Sequence, residues 1–488
     1  MSGWCMLAVG DASRVGGEEN REREMTLPEV FETFIQQRAL PVMVRGILEW
    51  AFDNQRLDQI FEALAEKQYT KTLLFSTCVE LMVRVVTRVQ PSLNAAIQSQ
   101  EGALPVGRDC VFDKINKLEN DVVTSVLAVM ADDLAEVIDT MQGAAPPTFP
   151  GLRTLLLDGN HLQAVQRRLK VLRTQFKAAL PGTCVALLDA DRKLILRTFL
   201  LQDGHASEMS VLPEVAQQVR CNDVLMADRN LCTRAFAATL HDQGAYFLVR
   251  QHGTRFPLKL LGERVLVGSS EAGLVYEQQA QYLHQGVWRN VRRVTVELKK
   301  PTRNQDQVLH LLTNLPTERI DPATGAVVPI DGLKIAAAYR LRWGIETAFQ
   351  TMTVDLHCDL NTLGYPPAAL FCFCVAAMCY NVYQTGISAL RGCHGTPAVS
   401  QCSTYYMAHD IQSVWEGMQI AIPQETWTSS FGGLSITALS SELLTLARHV
   451  RLTRYRKART RPRGPPKTHL RRTTSHTSVY KELHPPKP

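Results

Sequence analysis

Residues 336–352, AAAYRLRWGIETAFQTM, decide how the rest of this chain is interpreted. The stretch is rich in helix formers, and Tyr339, Arg342 and Glu346 recur along it at spacings of three and four residues. In an α-helix these side chains fall on one stripe, within roughly 60° of one another. An adjoining arc is apolar and consists of Leu341, Ile345, Ala348, Phe349 and Met352. The pattern predicts a helix that is buried along one side and carries a phenol, a guanidinium and a carboxylate in line.

Two interpretations of this stripe are open from the helix alone. Arg342 and Glu346 are four residues apart, which is the spacing of an ordinary ion pair on a solvated helix face. Alternatively, the carboxylate belongs to a functional site and the arginine contacts a ligand. The choice depends on whether other acidic residues are placed to join Glu346.

Two predicted strands end in an aspartate. LLLDGNH places Asp158 before a turn, and LMADRNLCT places Asp228 in the same way. Taken singly, each is better explained as a turn-forming or capping residue, although open sheets also place reactive groups there. Three carboxylates brought together with Glu346 would repel one another unless divalent cations neutralised them. Mg²⁺ suits such a set of hard oxygen ligands, so we favour a shared metal site over the simple ion pair.

In the order Asp158, Asp228 and Glu346, the chain resembles the DDE transposases of bacterial insertion sequences. YRLRWGIE (339–346) is similar to the Tyr-x-x-Arg-x-x-x-Glu signature of the insertion-sequence-four family, and the resemblance covers about residues 25–390. It implies an α/β catalytic core that is ribonuclease-H-like. It also implies a β-rich insertion before the catalytic Glu helix and an α-helical N-terminal domain that binds DNA.

The resemblance further implies a transposase that cuts at the ends of a mobile element and joins the 3′-hydroxyl to target DNA. Asp158, Asp228 and Glu346 would be its catalytic residues and would hold two Mg²⁺ ions, for which Mn²⁺ could substitute. Tyr339, Arg342 and Trp343 would contact DNA. The expected partners are element ends and target DNA, bound by a homodimer, and the expected location is the bacterial cytoplasm, on the nucleoid when bound to DNA.

One position departs from the family signature, which continues to a lysine seven residues beyond the glutamate. This chain has Thr353 there, so the helix face is kept while a positive charge is lost. The loss should reduce phosphate affinity more than metal binding. Two alternatives therefore stay open: a degenerate transposase that binds DNA without catalysis, and a ribonuclease-H-like nuclease without strand transfer.

The predicted insertion contains VWRNVRRVTVELKK (287–300), in which Arg289, Arg292 and Arg293 surround an apolar strand. These arginines could form a DNA-facing ribbon or belong to a charged, exposed strand, and the sequence does not separate the two. We assign them as DNA-binding candidates.

Composition changes along the chain divide it into segments with different expected structures. The expected segments are a disordered start (1–24), an α-helical DNA-binding region (25–142), a Pro/Gly linker (143–151), the catalytic core (152–250 and 331–447), the β-rich insertion (251–330) and a basic, disordered tail (448–488).

The charge distribution supports the tail assignment. The chain has 53 basic and 47 acidic residues, and 13 basic residues but one acidic residue lie from position 448 onward. The remaining chain therefore has 40 basic and 46 acidic residues. Such a run is usually solvated and would also bind any polyanion, nucleic acid first.

Bulk composition predicts an ordinary soluble protein, with 45% apolar and 20% charged residues. The 12 cysteines show no regular disulfide spacing and no secretory signal accompanies them, which favours a reducing cytosol. The longest apolar run, at 367–383, is short for a bilayer. We interpret it as a buried core helix whose cysteines are small apolar fillers, and we expect no membrane partner.

Overall fold

The computed structural model describes residues 27–68, 72–100, 102–174, 176–302, 305–458 and 475–485. The predicted disordered start (1–24) lies outside these ranges, as does the most basic part of the tail, 459–474. Six helices come first: α1 (Glu32–Ala51), α2 (Asn54–Leu64), α3 (Phe75–Val86), α4 (Leu93–Gln98), α5 (Arg108–Ile115) and α6 (Asn120–Thr140).

The strands begin after the Pro/Gly linker. They are β1 (Arg153–His161), β2 (Ala178–Leu180), β3 (Thr183–Asp189), β4 (Ile195–Leu201), β5 (Asp223–Ala227), β6 (Tyr246–Arg250), β7 (Lys259–Ser269), β8 (Gly273–His284), β9 (Val287–Leu298), β10 (Val308–Thr313), β11 (Glu318–Ile320), β12 (Val327–Pro329) and β13 (His476–Ser478). The remaining helices are α7 (Leu212–Gln218), α8 (Arg234–Asp242), α9 (Gly332–Tyr339), α10 (Trp343–Val354), α11 (Pro366–His394), α12 (Thr396–Ser400), α13 (Thr404–Ala421), α14 (Gln424–Phe431), α15 (Ile436–Arg448) and α16 (Val479–Leu483).

A mixed sheet of nine strands, in the order β4-β3-β1-β5-β6-β10-β9-β8-β7, forms the centre of the protein. β1, β5 and β6 are parallel, whereas β3 runs antiparallel to them and forms a hairpin with β4, which therefore runs in the direction of β1. Leu155, Leu156 and Leu157 of β1 are fully buried, because helices cover both faces of a parallel strand. β10 pairs with β6, so the strands of residues 259–313 continue this sheet.

The sheet and α11 together place α10. After the β-rich segment the chain returns through α9, which packs against β7, β8 and β9, and α10 packs against both β1 and α11. This arrangement brings Glu346, in the first turn of α10, over the strand that carries Asp158. Within the described ranges, every regular element from Glu29 to Thr140 is helical.

The apolar run at 367–383 lies in α11, the core helix that the sequence predicts. α11 is long and apolar enough to cross a membrane, but 94% of its most apolar window is buried inside the protein. Cys372, Cys374 and Cys379 are fully buried, and burial raises the pKa of Cys374 to about 12. A neutral thiol in an apolar core is a packing group.

Part of the predicted disordered tail (448–488) is ordered, which corrects that prediction. β13 pairs in parallel with β2, and Val479 of α16 is fully buried in a small cluster with Val165, Leu172 and Ala179. The tail is strongly basic when its composition is averaged over 448–488, so the average does not reveal this short apolar stretch. Burial of Val479 and pairing of β13 with β2 account for the order of residues 475–485.

Candidate active site

Asp158 and Asp228 lie on neighbouring parallel strands. The last paired residues of β1 and β5 are Leu157 and Ala227, and the two aspartates follow them directly. Because adjacent strands are about 5 Å apart, this register places the aspartates side by side. Asp158 is not at the end of its strand, as the sequence suggested, because β1 continues to His161 and pairs there with β3. Asp228 does follow the end of β5.

Arg342 joins Asp158 to Glu346. Its Nη1 donates to Asp158 Oδ2 at 3.0 Å, and its Nη2 donates to Glu346 Oε1 at 2.5 Å. The guanidinium is nearly buried, whereas half of the Glu346 side chain is exposed. The i,i+4 ion pair, one of the two interpretations open from the sequence, is therefore present. The same arginine also reaches a second carboxylate across the sheet, so the ion pair and the cluster of acids coexist.

The predicted continuous helix over 336–352 is broken near its centre. α9 ends at Tyr339, residues 340–342 form a 3-10 turn, and α10 begins at Trp343. Side chains three residues apart eclipse one another in a 3-10 turn, so Tyr339 and Arg342 stay on one side. The break leaves Arg342 immediately before α10, four residues from Glu346.

Asp158 is in an environment that disfavours its charge. Burial raises its pKa to about 6 and outweighs the opposing effects of Arg342 and of the Gly159 N–H. The charges of Glu346 and Glu208 raise it further. A second cation beside Asp158 would therefore be stabilising, since it would favour the ionised carboxylate.

Glu208 is an acidic neighbour that the sequence did not reveal. A Cβ added to Gly159 would lie 2.0 Å from Glu208 Oε1, so any larger residue after Asp158 would require the Glu208 side chain to move. Glu208 also lies 3.8 Å from His161 Nε2, and His161 Nδ1 contacts the Thr183 hydroxyl at 2.7 Å. No motif marks Glu208, because it follows β4 in a loop that only the folded sheet brings to β1.

Tyr339 lies next to Asp228, whereas Glu208 lies next to Asp158. Its hydroxyl donates to the carbonyl oxygen of Ala227 at 3.3 Å. Burial raises its pKa, and the negative charge of Asp228 adds to this effect. Trp343 is 61% exposed, so its indole is free to contact a ligand.

The three arginines of the β-rich segment (Arg289, Arg292 and Arg293) make no contact with these acids in the described structure, and their environments differ. Arg289 makes a two-pronged ion pair with Asp242, and Arg293 contacts the His310 ring. Arg292 is only 5% exposed and donates to both Glu277 carboxylate oxygens and to three carbonyl groups, those of Leu315, Pro316 and Ile330. The donors of Arg292 are therefore used inside the protein, and its contact with DNA stays a prediction. The alternative from the sequence analysis, a charged and exposed strand, does not describe Arg292, because this side chain is buried.

Thr353, which occupies the position of the family lysine, lies near an arginine from the N-terminal region. Its hydroxyl donates to the Phe349 carbonyl group within α10. Arg88 Nη2 donates to the carbonyl oxygens of Thr353 and Val354 at 3.3 and 3.2 Å. A positive charge therefore lies at the C-terminal end of α10, where it also interacts favourably with the helix dipole.

The fit of this site to a divalent cation depends on its carboxylates. Their oxygens are the ligand type that Mg²⁺ prefers, and Asp158 and Glu346 converge on one positive group. Across the part of the chain that the structure describes, however, no three His, Cys, Asp or Glu side chains form a ready metal cluster. The donor set therefore fits a hard cation, but Arg342 takes up the carboxylate oxygens in this arrangement.

Comparison with known proteins identifies the domain that contains these acids. Residues 155–382 match the family model described as "Transposase DDE domain", a range that includes Asp158, Asp228 and Glu346. No curated protein matches the chain. A cryo-EM structure of a piggyBac transposase synaptic complex with hairpin DNA is similar at 11% identity and a TM-score of 0.37, over 80% of this chain and 84% of that chain. A TM-score of 0.37 is too low to carry an argument about this protein.

The family match and the acidic site coincide in the chain. The matched range begins within β1 and ends within α11, so it contains the sheet, the β-rich segment and α10. Residues 155–382 therefore match a transposase DDE domain, and this match supports a DDE-type transposase.

Proposed function

We propose that this transposase cuts DNA at the ends of a mobile element and joins the resulting 3′-hydroxyl to target DNA. The observation that carries the proposal is the convergence of acids from distant parts of the chain: Asp158 and Asp228 by strand register, and Glu346 through Arg342. The mixed sheet, in which β3 alone of the strands β1, β3, β4, β5 and β6 runs antiparallel to β1, supports a ribonuclease-H-like core. The Tyr339, Arg342 and Glu346 spacing supports membership of the insertion-sequence-four family and a bacterial origin.

We propose that Asp158, Asp228 and Glu346 hold two Mg²⁺ ions, with Mn²⁺ as an alternative. Bound metal would supply an activated water and stabilise the leaving oxygen of the phosphodiester. Asp158 and Asp228, fixed on adjacent strands, would set the position of the reacting phosphate. Tyr339 and Trp343 would hold the flanking nucleotides, by a hydroxyl contact and by stacking on a base, respectively.

The proposed partners are the element ends and target DNA, bound by a homodimer. The proposed location is the cytoplasm, in contact with the nucleoid. The helices of residues 29–140 and the basic tail would add DNA contacts outside the acidic site. Light scattering of the protein with and without DNA ends would test the dimer.

The direct test measures nicking and joining separately. The wild-type chain should nick its terminal repeats only when Mg²⁺ or Mn²⁺ is present, and should join a pre-nicked end to a second duplex. Asp158→Asn, Asp228→Asn and Glu346→Gln should abolish both reactions while leaving DNA binding largely intact when it is measured without metal. Glu271→Gln is a matched control, because Glu271 is exposed and pairs with exposed Arg340.

The outcomes separate the competing functions. Nicking without joining would identify a nuclease, and DNA binding without nicking would identify a degenerate transposase. The absence of a lysine at position 353 favours the second of these alternatives. Full activity of the three acid variants would refute the proposed site.

A further inference from the structure

Two carboxylates of the candidate site share one cation that belongs to the protein itself. Arg342 contacts Asp158 Oδ2 at 3.0 Å and Glu346 Oε1 at 2.5 Å. These contacts take one oxygen from each of two acids that are proposed to bind metal. A divalent cation and Arg342 therefore compete for the same atoms.

We propose that Arg342 is an exchangeable counter-ion, displaced from the acids by metal and received by a DNA phosphate, so that metal and DNA bind cooperatively. This inference rests on the proposed function, since it assigns the regulation of the same site. It gives Arg342 two alternative partners, the carboxylates in the free protein and a phosphate in the complex.

Charge balance explains why the carboxylates need a resident cation. Glu208 Oε1 lies beside Gly159, 2.0 Å from where a Cβ on that residue would lie, so Asp158, Glu346 and Glu208 would repel one another if Arg342 were absent. Arg342 reduces this repulsion while the site is metal-free. A divalent cation would neutralise the acids more completely, because it carries twice the charge.

Burial explains why the exchange should depend on DNA. Arg342 is only 8% exposed, and a guanidinium that loses its carboxylates at such a position is left poorly solvated. A phosphate accepts the same parallel pair of N–H donors that a carboxylate accepts. Phosphate binding would therefore offset the loss of the carboxylates, so DNA would strengthen metal binding. By linkage, metal would strengthen DNA binding by the same factor.

The geometry of Glu346 supports an exchangeable pair. Half of its side chain is exposed, so the ion pair borders solvent rather than the closed core. Arg340, two residues earlier, is exposed and pairs with exposed Glu271 at 3.0 Å. It is a matched control, because its substitution removes one charge from the same turn without touching the acids.

The test measures Mn²⁺ binding to the full chain from the electron paramagnetic resonance signal of free Mn²⁺, first without DNA. Arg342→Gln should tighten Mn²⁺ binding by about tenfold, within the usual range for coupled sites. Arg342→Lys keeps the charge and should lie between Arg342→Gln and the wild type. Arg340→Gln should match the wild type, and thermal unfolding of each variant checks that it is folded.

A second series adds a short DNA duplex and subtracts the Mn²⁺ that the duplex binds alone. The duplex should tighten Mn²⁺ binding to the wild type and should have a much smaller effect on Arg342→Gln. If Arg342→Gln and Arg342→Lys bind Mn²⁺ no more tightly than the wild type, or if DNA acts equally on all variants, the exchange is refuted.

Two acid variants distinguish failure of this inference from failure of the proposed function. Asp158→Asn and Glu346→Gln should each weaken Mn²⁺ binding. If they do so while Arg342→Gln leaves it unchanged, the metal site stands and the counter-ion role is wrong. If neither acid variant weakens Mn²⁺ binding, the proposed metal site itself is overturned, and the exchange with it.

Discussion

Arg292 in the β-rich segment and Arg342 at the acidic site are both nearly buried arginines, yet they have very different surroundings. Arg292 binds a largely buried carboxylate and three backbone carbonyl groups of its own region. Arg342 is shared between carboxylates of two separate elements, and one of them is half exposed. The difference teaches that burial alone does not distinguish a structural arginine from an exchangeable one. A structural arginine is distinguished from an exchangeable one by how many internal partners it has and by how exposed those partners are.

The largest expected effect comes from removing the arginine with the most internal partners. Arg292→Met leaves the Glu277 carboxylate and three carbonyl oxygens without their donor, and breaking a buried pair in this way costs about 3–5 kcal/mol. Urea unfolding should show this loss. Arg289→Gln is the control, because its exposed partner Asp242 limits the expected loss to about 0–1 kcal/mol. Equal losses for the two variants would contradict the comparison.

A smaller effect is expected at a buried carboxylate that has no arginine partner among the residues that the structure describes. Glu442 is 7% exposed, and burial raises its pKa from 4.5 to about 7. Below pH 4.5 the group is protonated in both folded and unfolded states and has no effect. As pH rises from 4.5 to 7 the unfolded state ionises first, so folding stability falls by about 3 kcal/mol and then stays level.

Glu442→Gln should remove this pH dependence. The variant and the wild type should have equal stability at pH 4.5, and the variant should be the more stable at pH 8. Urea unfolding at both values measures the difference. A stability difference that does not change with pH would show that Glu442 finds a counter-charge, as Glu277 and Asp158 do.

The smallest effect is expected for Arg88, which binds two carbonyl groups at the end of α10. If its charge reaches a DNA phosphate in place of the missing lysine, Arg88→Gln should lower DNA affinity a few-fold and reduce the salt slope by about one unit. Thr353→Lys should raise affinity by a similar factor. Filter binding at several salt concentrations measures both, and an unchanged slope for Arg88→Gln would exclude the phosphate contact.

Much of the fold could be predicted from the sequence, because its signals are local. The apolar run of α11 predicts a core helix, and 94% burial of its central window confirms this interpretation. The spacing of Arg342 and Glu346 allows an ion pair, and the structure contains this contact, although the sequence favoured a shared metal site instead. The order of Asp158, Asp228 and Glu346 led to the DDE transposase interpretation, which the family match confirms.

The other features depend on contacts between distant residues. Arg292 looks like an exposed charge in its strand, and only the fold brings the Leu315, Pro316 and Ile330 carbonyl groups around it. Glu208 meets Gly159 because the loop after β4 returns to β1. The 3-10 turn at 340–342 interrupts a stretch whose helix propensity is high throughout, so packing rather than propensity determines it.

The pairing of β10 with β6 has a mechanical consequence. A domain joined only by two linkers could rotate relative to the catalytic core, whereas strands that share backbone hydrogen bonds move together with their neighbours. Whatever surface β7, β8 and β9 offer is thus held in fixed alignment with the aspartates several strands away. A displacement at the outer edge would have to bend or twist the whole sheet before it changed the distance to the acids.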